Sequence, residues 1–333
     1  MSFCSPDHVL TILDTPSFYS TTLHLLSILA IPTHLFGAYC ILSKTPERMK
    51  SVKWSLLHVH FWTSFMDLMF SLITCPVIIL PIMGGYSLGL LALVGMKTKE
   101  QTYLMEVTLA ATSVSIVGIF ENRYHVLSAN AFWRKVRFSW YTVNFLQATV
   151  FFLPVYNRIP EDQELERIFI LESLPCLPEE MKSAADLFVI SERPALFLRV
   201  MAAEIGFIIL QVVIFYQLIK QYFKQFDTKL SERTLMMQKK LIRTLILQLV
   251  LPLVIIVVPL FYCGISSWLR YHNQGLTNLS MIVIASHGFF STGAMILIHL
   301  PYRMEVLRIF GRNRIDTMDS STRNSMAVQA TII

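Results

Sequence analysis

Long stretches without a charged residue alternate with short charged segments along this chain of 333 residues. Residues 15–43, 244–269 and 271–302 contain no Asp, Glu, Lys or Arg, and shorter apolar stretches lie between them. A helix needs about 20 apolar residues to cross the roughly 30 Å hydrocarbon core of a bilayer. The pattern therefore predicts seven membrane-spanning helices, at about 20–42, 54–75, 101–121, 138–156, 198–219, 242–264 and 277–300.

Three parts of this pattern are less regular. Residues 76–98 are almost uncharged, but Pro and Gly interrupt them, so we expect the ragged end of the second span and an extracellular loop, with a re-entrant segment left open. Residues 157–197 are polar and carry nine acidic residues, which predicts a water-exposed loop or a small cap. Small residues dilute the third span, which suits a helix that is packed inside a bundle.

The composition excludes most soluble classes of protein. Hydrophobic residues make up 54% of the chain and charged residues only 15%, with a mean hydropathy of +0.55. Soluble globular proteins have about 25% charged residues, and disordered chains are poor in large apolar residues. We therefore expect an all-α integral membrane protein whose surroundings are the lipid bilayer and which does not bind nucleic acid.

The basic residues are distributed unevenly between the two sides of the predicted bundle. Twenty of the 28 Lys and Arg residues follow the first, third, fifth and seventh spans. Cytoplasmic loops carry an excess of Lys and Arg, so the N-terminus is expected outside and the C-terminus inside. The chain then divides into an extracellular N-terminus at 1–19, a membrane domain at 20–300 and a cytoplasmic tail at 301–333.

A motif of charged residues closes the third span. Glu121, Asn122 and Arg123 lie at its predicted cytoplasmic end. An acid and a base here can pair with each other or with a neighbouring helix, and such a pair is a candidate activation latch that breaks when helices move. The alternative is ordinary interfacial charge, with Arg123 reaching the lipid headgroups.

A second motif closes the seventh span. Pro301, Tyr302 and Arg303 stand at its predicted inner end, where the proline permits either a kink or a plain helix stop. Residues 302–310 place apolar side chains on one side and charged side chains elsewhere, which predicts a short amphipathic helix in the plane of the membrane.

Polar and ionisable residues inside the predicted spans are costly to bury and are therefore candidates for function. Asp67 lies near the middle of the second span, where we expect an internal polar network or an ion site. The candidates for a ligand cavity open to the outside are Glu106, Glu204, Gln248, Pro252 and His287. Proximity to interfacial water is the alternative for the two glutamates, and structural bending is the alternative for the proline.

Cysteines and catalytic motifs add little further chemistry. Cys4 and Cys176 both lie on the predicted outer side, where a disulfide would tether the N-terminus to the acidic loop, although Cys263 lies near the same face. The sequence lacks the motifs of zinc proteases, serine hydrolases and P-loop nucleotide-binding proteins. We therefore expect neither an enzyme nor a metal or cofactor site.

Several segments of the sequence resemble those of a known protein family. They are IPTHLFGAYCILSKTPERMKSVKWSLLHVHFW at 31–62, FENR at 120–123, LPCL at 174–177, the pattern of Gln248, Pro252 and Pro259, and HGFFSTGAMILIHLPYR at 287–303. Together they extend over nearly the whole chain, which resembles the nematode serpentine chemoreceptors of class H. The resemblance implies a seven-helix G-protein-coupled receptor, and it strengthens the latch role of Glu121 and Arg123.

What the resemblance implies is a chemosensory receptor, active in olfaction, that detects a small environmental chemical and signals to a heterotrimeric G protein. It also implies the plasma membrane of a sensory cilium, with 122–137 and 220–243 as the contact surface for the G protein. A small-solute transporter or channel is the alternative, and it needs a continuous polar path. The chain departs from rhodopsin-like receptors in having no Cys at the outer end of the third span, a tether that the Cys4–Cys176 pair would replace.

Overall fold

The computed structural model describes residues 3–4, 9–128, 130–184, 186–190, 194–226, 236 and 254–310, and most of them are helical. The helices are α1 (Pro16–Lys44), α2 (Lys50–Leu68), α3 (Leu90–Leu93), α4 (Thr98–Ser128), α5 (Ala131–Val150), α6 (Leu153–Tyr156), α7 (Gln163–Ser173), α8 (Glu179–Lys182), α9 (Ala195–Phe226), α10 (Val254–Leu269), α11 (Gln274–Ala285), α12 (His287–Ile298) and α13 (Leu300–Phe310). The strands are β1 (Pro76–Ile79), β2 (Gly84–Ser87) and β3 (Phe188–Val189).

Within the described part of the chain, five helical stretches are long and apolar enough to cross a membrane. They are Pro16–Lys44, Lys50–Ile73, Thr98–Ser128, Ala195–Gln225 and Gln274–Ile298. Two further helices stand where the fourth and sixth spans are predicted: α5, which carries three basic residues in its first two turns, and the shorter apolar α10. Large apolar side chains are exposed along these helices, as expected where lipid is the solvent.

The first long helix begins at a sequence that favours a helix start. Thr15 has extended backbone, and its side-chain oxygen accepts a hydrogen bond from Phe18 N at 3.3 Å. Pro16 takes the first helical position, where its missing N–H leaves no hydrogen bond unmade. The helix therefore starts four residues before the predicted span and runs to Lys44.

The second long helix changes from α-helical to π-helical hydrogen bonding just beyond Asp67. α2 is α-helical to Leu68 and continues as one π-helical turn at Met69–Ile73, a feature often found near functional sites. Ser71 in this turn donates to the backbone oxygen of Asp67 at 2.7 Å, and Ser27 of α1 donates to Ser71 Oγ at 2.7 Å. These bonds tie the turn to α1 at the level of Asp67.

The residues predicted to form a loop after the second span form a β-hairpin. β1 and β2 pair antiparallel, with Pro76 opposite Ser87, and β3 adds a third strand by pairing with β2. Gly85 has a φ of +154°, and a Cβ there would lie 2.0 Å from the backbone oxygen of Val77. Pro76, Gly84 and Gly85 thus belong to a sheet, whereas Pro81 lies in the turn between its first two strands and Gly89 follows them.

The acidic segment 157–197 folds as a cap on this sheet. α7 packs against β3, and apolar side chains from the cap and the sheet share one buried core, which includes Val77, Ile79, Ile170, Leu174, Met181 and Val189. A disulfide joins Cys4 to Cys176 over a Cα–Cα distance of 6.0 Å, and Phe3 N donates to Ser173 O at 2.9 Å. The N-terminus is therefore covalently tied to the cap.

The last predicted span consists of two helices rather than one. α11 and α12 meet at Ser286, and α12 ends before His299, which has extended backbone (φ −84°, ψ 111°). Pro301 then lies in the first turn of α13, so the chain turns into a new helix at this point instead of ending in a plain stop.

The amphipathic helix α13 is fastened to the C-terminal end of α1, on the side of the bundle that is predicted to be cytoplasmic and is called the inner side below. Tyr302 is fully buried, and its hydroxyl lies 2.7 Å from Thr45 Oγ1. Glu305 pairs with Lys44 at 3.2 Å and accepts a hydrogen bond from Arg308 at 2.7 Å. Burial alone would raise the pKa of Glu305, but the hydrogen bonds from Lys44 and Arg308 outweigh it and leave the pKa below its usual value.

Candidate functional site

A cavity of about 70 Å³ lies beneath the sheet, at the N-terminal ends of α4 and α9, on the side that is predicted to be extracellular and is called the outer side below. Glu106 lines it together with Thr102 and Met105 of α4, opposite the hairpin and Phe197 of α9. Glu106 is buried, and its Oε2 has no hydrogen-bond partner among the described residues. Since a buried acceptor without a partner is unfavourable, this oxygen is well placed to accept a hydrogen bond from a small ligand.

Glu204, which the sequence assigns to the same cavity, lies elsewhere. Its carboxylate accepts a hydrogen bond from Gln147 of α5. Two turns further along α9, Gln211 donates to Asn144 Oδ1 at 2.8 Å. All four side chains lie at the contact between α5 and α9, where polar pairs between membrane helices help to hold them together.

Asp67 lies at the centre of a buried cluster between α1, α2 and α12. Its Oδ1 accepts a hydrogen bond from Gly288 N at 2.8 Å, and its Oδ2 accepts one from Phe289 N at 2.6 Å. These N–H groups belong to the first turn of α12, where donors have no partner within the helix. Ser286 at the N-cap position makes no side-chain capping bond, so Asp67 caps α12 from a neighbouring helix.

Two histidines complete the hydrogen bonds to this carboxylate. His34 Nε2 lies 3.2 Å from Oδ2 of Asp67, and His287 Nδ1 lies 2.8 Å from Oδ1. A carboxylate can only accept hydrogen bonds, so His34 Nε2 and His287 Nδ1 are the donors. His34 Nδ1 lies 3.1 Å from Thr292 Oγ1, and His60 Nε2 donates to the backbone oxygen of His34 at 2.9 Å. These five residues are called the Asp67 cluster below.

Glycines allow the three helices of this cluster to approach closely. A Cβ on Gly288 would lie 2.7 Å from Asp67 Oδ2 and equally close to the backbone oxygen of Thr63. A Cβ on Gly37 of α1 would lie 2.6 Å from Thr292 Cγ2. Both distances are shorter than a carbon contact allows, so the geometry around Asp67 depends on glycine at these two positions.

Glu121 is fully buried on the inner half of α4 and is held by side chains of α5. Its carboxylate accepts hydrogen bonds from Trp133 Nε1 at 2.7 Å and Tyr141 OH at 3.0 Å, and it forms an ion pair with Arg137 Nε at 2.8 Å. Arg137 also donates to Asn122 Oδ1 at 3.0 Å. These five residues, the Glu121 cluster, join the inner ends of α4 and α5.

Arg123 takes no part in that ion pair. It is 4% exposed, its Nε and Nη2 have no hydrogen-bond partner among the described residues, and it is near enough to His299 to act on it electrostatically. Such burial does not fit the interfacial alternative in which Arg123 reaches the headgroups. Glu121 thus contacts α5, whereas Arg123 lies within electrostatic reach of the junction of α12 and α13 and keeps two donors without a partner among the described residues.

The remaining predicted cavity residues are distributed differently from the expectation. His287 belongs to the Asp67 cluster and is fully buried there. Gln248 and Pro252 lie outside the described residues. Reasoning from the sequence missed His34, which has no charge to mark it, and Arg137, which it counted only as a charge of the inner loop.

The comparisons with known proteins agree with the resemblance. The model of a family described as serpentine type 7TM GPCR chemoreceptor Srh matches residues 14–312. The chain is 26% identical over 295 residues to serpentine receptor class H-72 of Caenorhabditis elegans, covering 87% of this chain and 85% of that protein. It also resembles the crystal structure of squid rhodopsin, with a TM-score of 0.54 and 10% identity over 96% of this chain and 95% of the other. At that identity the likeness concerns the fold alone.

Proposed function

Because the chain belongs to the Srh family of serpentine chemoreceptors, which are seven-transmembrane G-protein-coupled receptors, we propose that it detects a small environmental chemical and signals to a heterotrimeric G protein. Membership confirms the resemblance and the seven-helix membrane fold, and it implies a receptor rather than an enzyme. The plasma membrane of a sensory cilium is the location that we propose for this activity.

The observation that carries the ligand proposal is the unpaired carboxylate oxygen of Glu106 in the outer cavity. The cavity of about 70 Å³ is well below the roughly 300–1,000 Å³ of a drug-sized site, so it admits only a very small molecule, and its lining is apolar apart from a few polar groups. The favoured ligand therefore presents one hydrogen-bond donor, such as a hydroxyl or amino group, on a small apolar body. Ligands that donate a hydrogen bond to Glu106 satisfy a buried oxygen that otherwise has no partner among the described residues.

Helix α4 supports the proposed link between the ligand and the G protein. Glu121 lies on the same helix as Glu106, at a rise of about 22 Å toward the inner side, and Arg123 follows it. A ligand that prefers one position of α4 shifts the populations of two helix arrangements. Such a shift would change the contacts between α4 and α5 in the Glu121 cluster and the electrostatic interaction of Arg123 with His299.

Glu106→Gln is expected to weaken the response to an active ligand about tenfold in concentration, because the carboxyl group that accepts the ligand's hydrogen bond is lost while the shape of the side chain is kept. The measurement is a concentration–response curve for second-messenger production in cells that are screened with a panel of small alcohols and amines. Glu164→Gln, an exposed change on the cap, is the matched control and should leave the curve in place. Ion flux or solute uptake without a second messenger would instead indicate the transporter or channel.

Arg123→Gln is expected to abolish the ligand-evoked response while cell-surface expression survives. The substitution removes a buried charge that acts electrostatically on His299, at the α12–α13 junction, but does not touch the outer cavity. Surface biotinylation and second-messenger production are measured on the same cells. Lys97→Gln, which removes an exposed cation near the outer end of α4, should signal normally. An unchanged response in Arg123→Gln contradicts its role as part of the latch.

A further inference from the structure

A groove of about 630 Å³ lies on the inner half of the bundle, between α2, α4 and α5. Its polar wall is formed by Ser51 and Ser55 of α2, Asn122 and His125 of α4, and Arg134 of α5. The outer cavity lies at the opposite end of α4, so the ligand does not explain this groove, which shares Asn122, Arg137 and Tyr141 with the Glu121 cluster. It is called the Arg134 groove below.

The Arg134 groove carries positive charge and unused polar atoms. The guanidinium of Arg134 is exposed and makes no ion pair or hydrogen bond with any described residue. Arg137 also lines the groove, but Glu121 already neutralises it. His125 Nδ1 is buried and has no hydrogen-bond partner within the described part of the chain. A cation beside hydroxyl groups and an unused ring nitrogen is a suitable site for an oxyanion such as phosphate.

Two exposed aromatic side chains border the groove. Trp54 of α2 and Phe138 of α5 line it and are 69% and 81% exposed. Large aromatic side chains in such positions are typical of the level where lipid headgroups meet hydrocarbon. A molecule in the groove would therefore have its charged group near Arg134 and its apolar part against exposed aromatic rings, as in a phospholipid.

The distribution of basic residues indicates which lipid is favoured. Arg134 belongs to one of the four basic segments that are predicted to face the cytoplasm. The cytoplasmic leaflet holds the anionic lipids, which are attracted to Lys and Arg near the membrane surface. We propose that the Arg134 groove binds the headgroup phosphate of an anionic glycerophospholipid from that leaflet. Soluble phosphate esters share this chemistry, and the experiment must separate the two sources.

Native mass spectrometry of the purified full-length receptor in detergent tests the proposal, with dioleoyl phosphatidylserine as the probe and dioleoyl phosphatidylcholine as the neutral comparison. Arg134→Gln should lower the retained phosphatidylserine about tenfold, as expected for one charge-assisted interaction. Lys135→Gln is the matched control, because it removes the same charge from the next residue, which is exposed and does not line the groove. Its retained lipid should change less than about twofold.

Two further arms distinguish the groove from general surface charge and from soluble phosphate. Ser55→Phe keeps Arg134 but fills the groove, so it should lower lipid retention as strongly as Arg134→Gln. Excess inorganic phosphate should leave the lipid bound, because it lacks the apolar part. Equal losses in Arg134→Gln and Lys135→Gln, or full retention in Ser55→Phe, would overturn the groove as the site. Displacement of the lipid by inorganic phosphate would overturn the assignment to a lipid.

Discussion

Asp67→Ala is expected to prevent folded receptor from accumulating at the cell surface. The change removes the carboxylate that accepts hydrogen bonds from two backbone N–H groups of α12 and from the rings of His34 and His287. These four donors are buried, so water does not replace the lost acceptor. Each unsatisfied donor costs about 1–3 kcal/mol, so the sum reaches several kcal/mol, a large part of a typical net stability of about 5–15 kcal/mol. Surface biotinylation and the half-life of the purified receptor in detergent at a fixed temperature measure the loss.

The controls for this experiment separate a buried cap from an exposed one. Asp162 also caps a helix, since it accepts a hydrogen bond from Leu165 N at 3.3 Å at the start of α7, but it is exposed. Asp162→Ala should therefore cost only about 1 kcal/mol and leave surface expression intact. Asp67→Asn keeps one acceptor oxygen and should fall between wild type and Asp67→Ala. Normal expression and half-life of Asp67→Ala contradict the role given to the Asp67 cluster.

Glu121→Ala is expected to be the second large effect, with a loss of about 3–5 kcal/mol in the free energy of unfolding. The substitution leaves the guanidinium of Arg137 without its counter-charge, and it leaves Trp133 Nε1 and Tyr141 OH without their acceptor. Its signature is a fall in the apparent Tm of the purified receptor. Because the contact between α4 and α5 is loosened at the inner side, ligand-independent signalling should also change in cells.

A double-mutant comparison shows whether the ion pair is the cause. Arg137→Ala in the Glu121→Ala background removes the uncompensated charge, so the double variant should be more stable than the sum of the two single losses predicts. Glu47→Ala breaks an exposed ion pair with Lys50, whose atoms lie 3.2 Å apart, and should change the apparent Tm hardly at all. Equal effects of Glu121→Ala and Glu47→Ala are the outcome that contradicts the proposed importance of the buried pair.

The positions of the long helices could be predicted from the sequence because each requires a long apolar segment. The break at Ser286 could not, since residues 271–302 are uncharged throughout and a hydropathy pattern shows only where a helix must avoid charge. The cap that stabilises this break is Asp67, which lies more than 200 residues earlier in the chain. A contact of that kind depends on tertiary packing and leaves no local signal.

The partners of Glu121 are a second feature that could not be predicted from the sequence. The sequence indicates that Glu121 and Arg123 are special, but it leaves open whether they pair with each other or with a neighbouring helix. The predicted fourth span begins at residue 138, so Arg137 falls in the predicted loop and is not recognised as a partner of Glu121. In the structure α5 begins at Ala131, and Arg137 lies on this helix. The extra turns of α5 carry Trp133 and Arg137, and these turns are what neutralise Glu121.

The link between Cys4 and Cys176 also changes how the chain is connected. The bond closes a covalent ring that contains α1, α2, α4 and α5. Helices α9, α10, α11 and α12 follow in the linear part of the chain after Cys176. A proteolytic cut inside the ring leaves a single molecule until the disulfide is reduced. A cut after Cys176 divides the chain into two polypeptides that only packing holds together. In topological terms, the receptor is a closed loop of four membrane helices with the remaining helices attached as a tail.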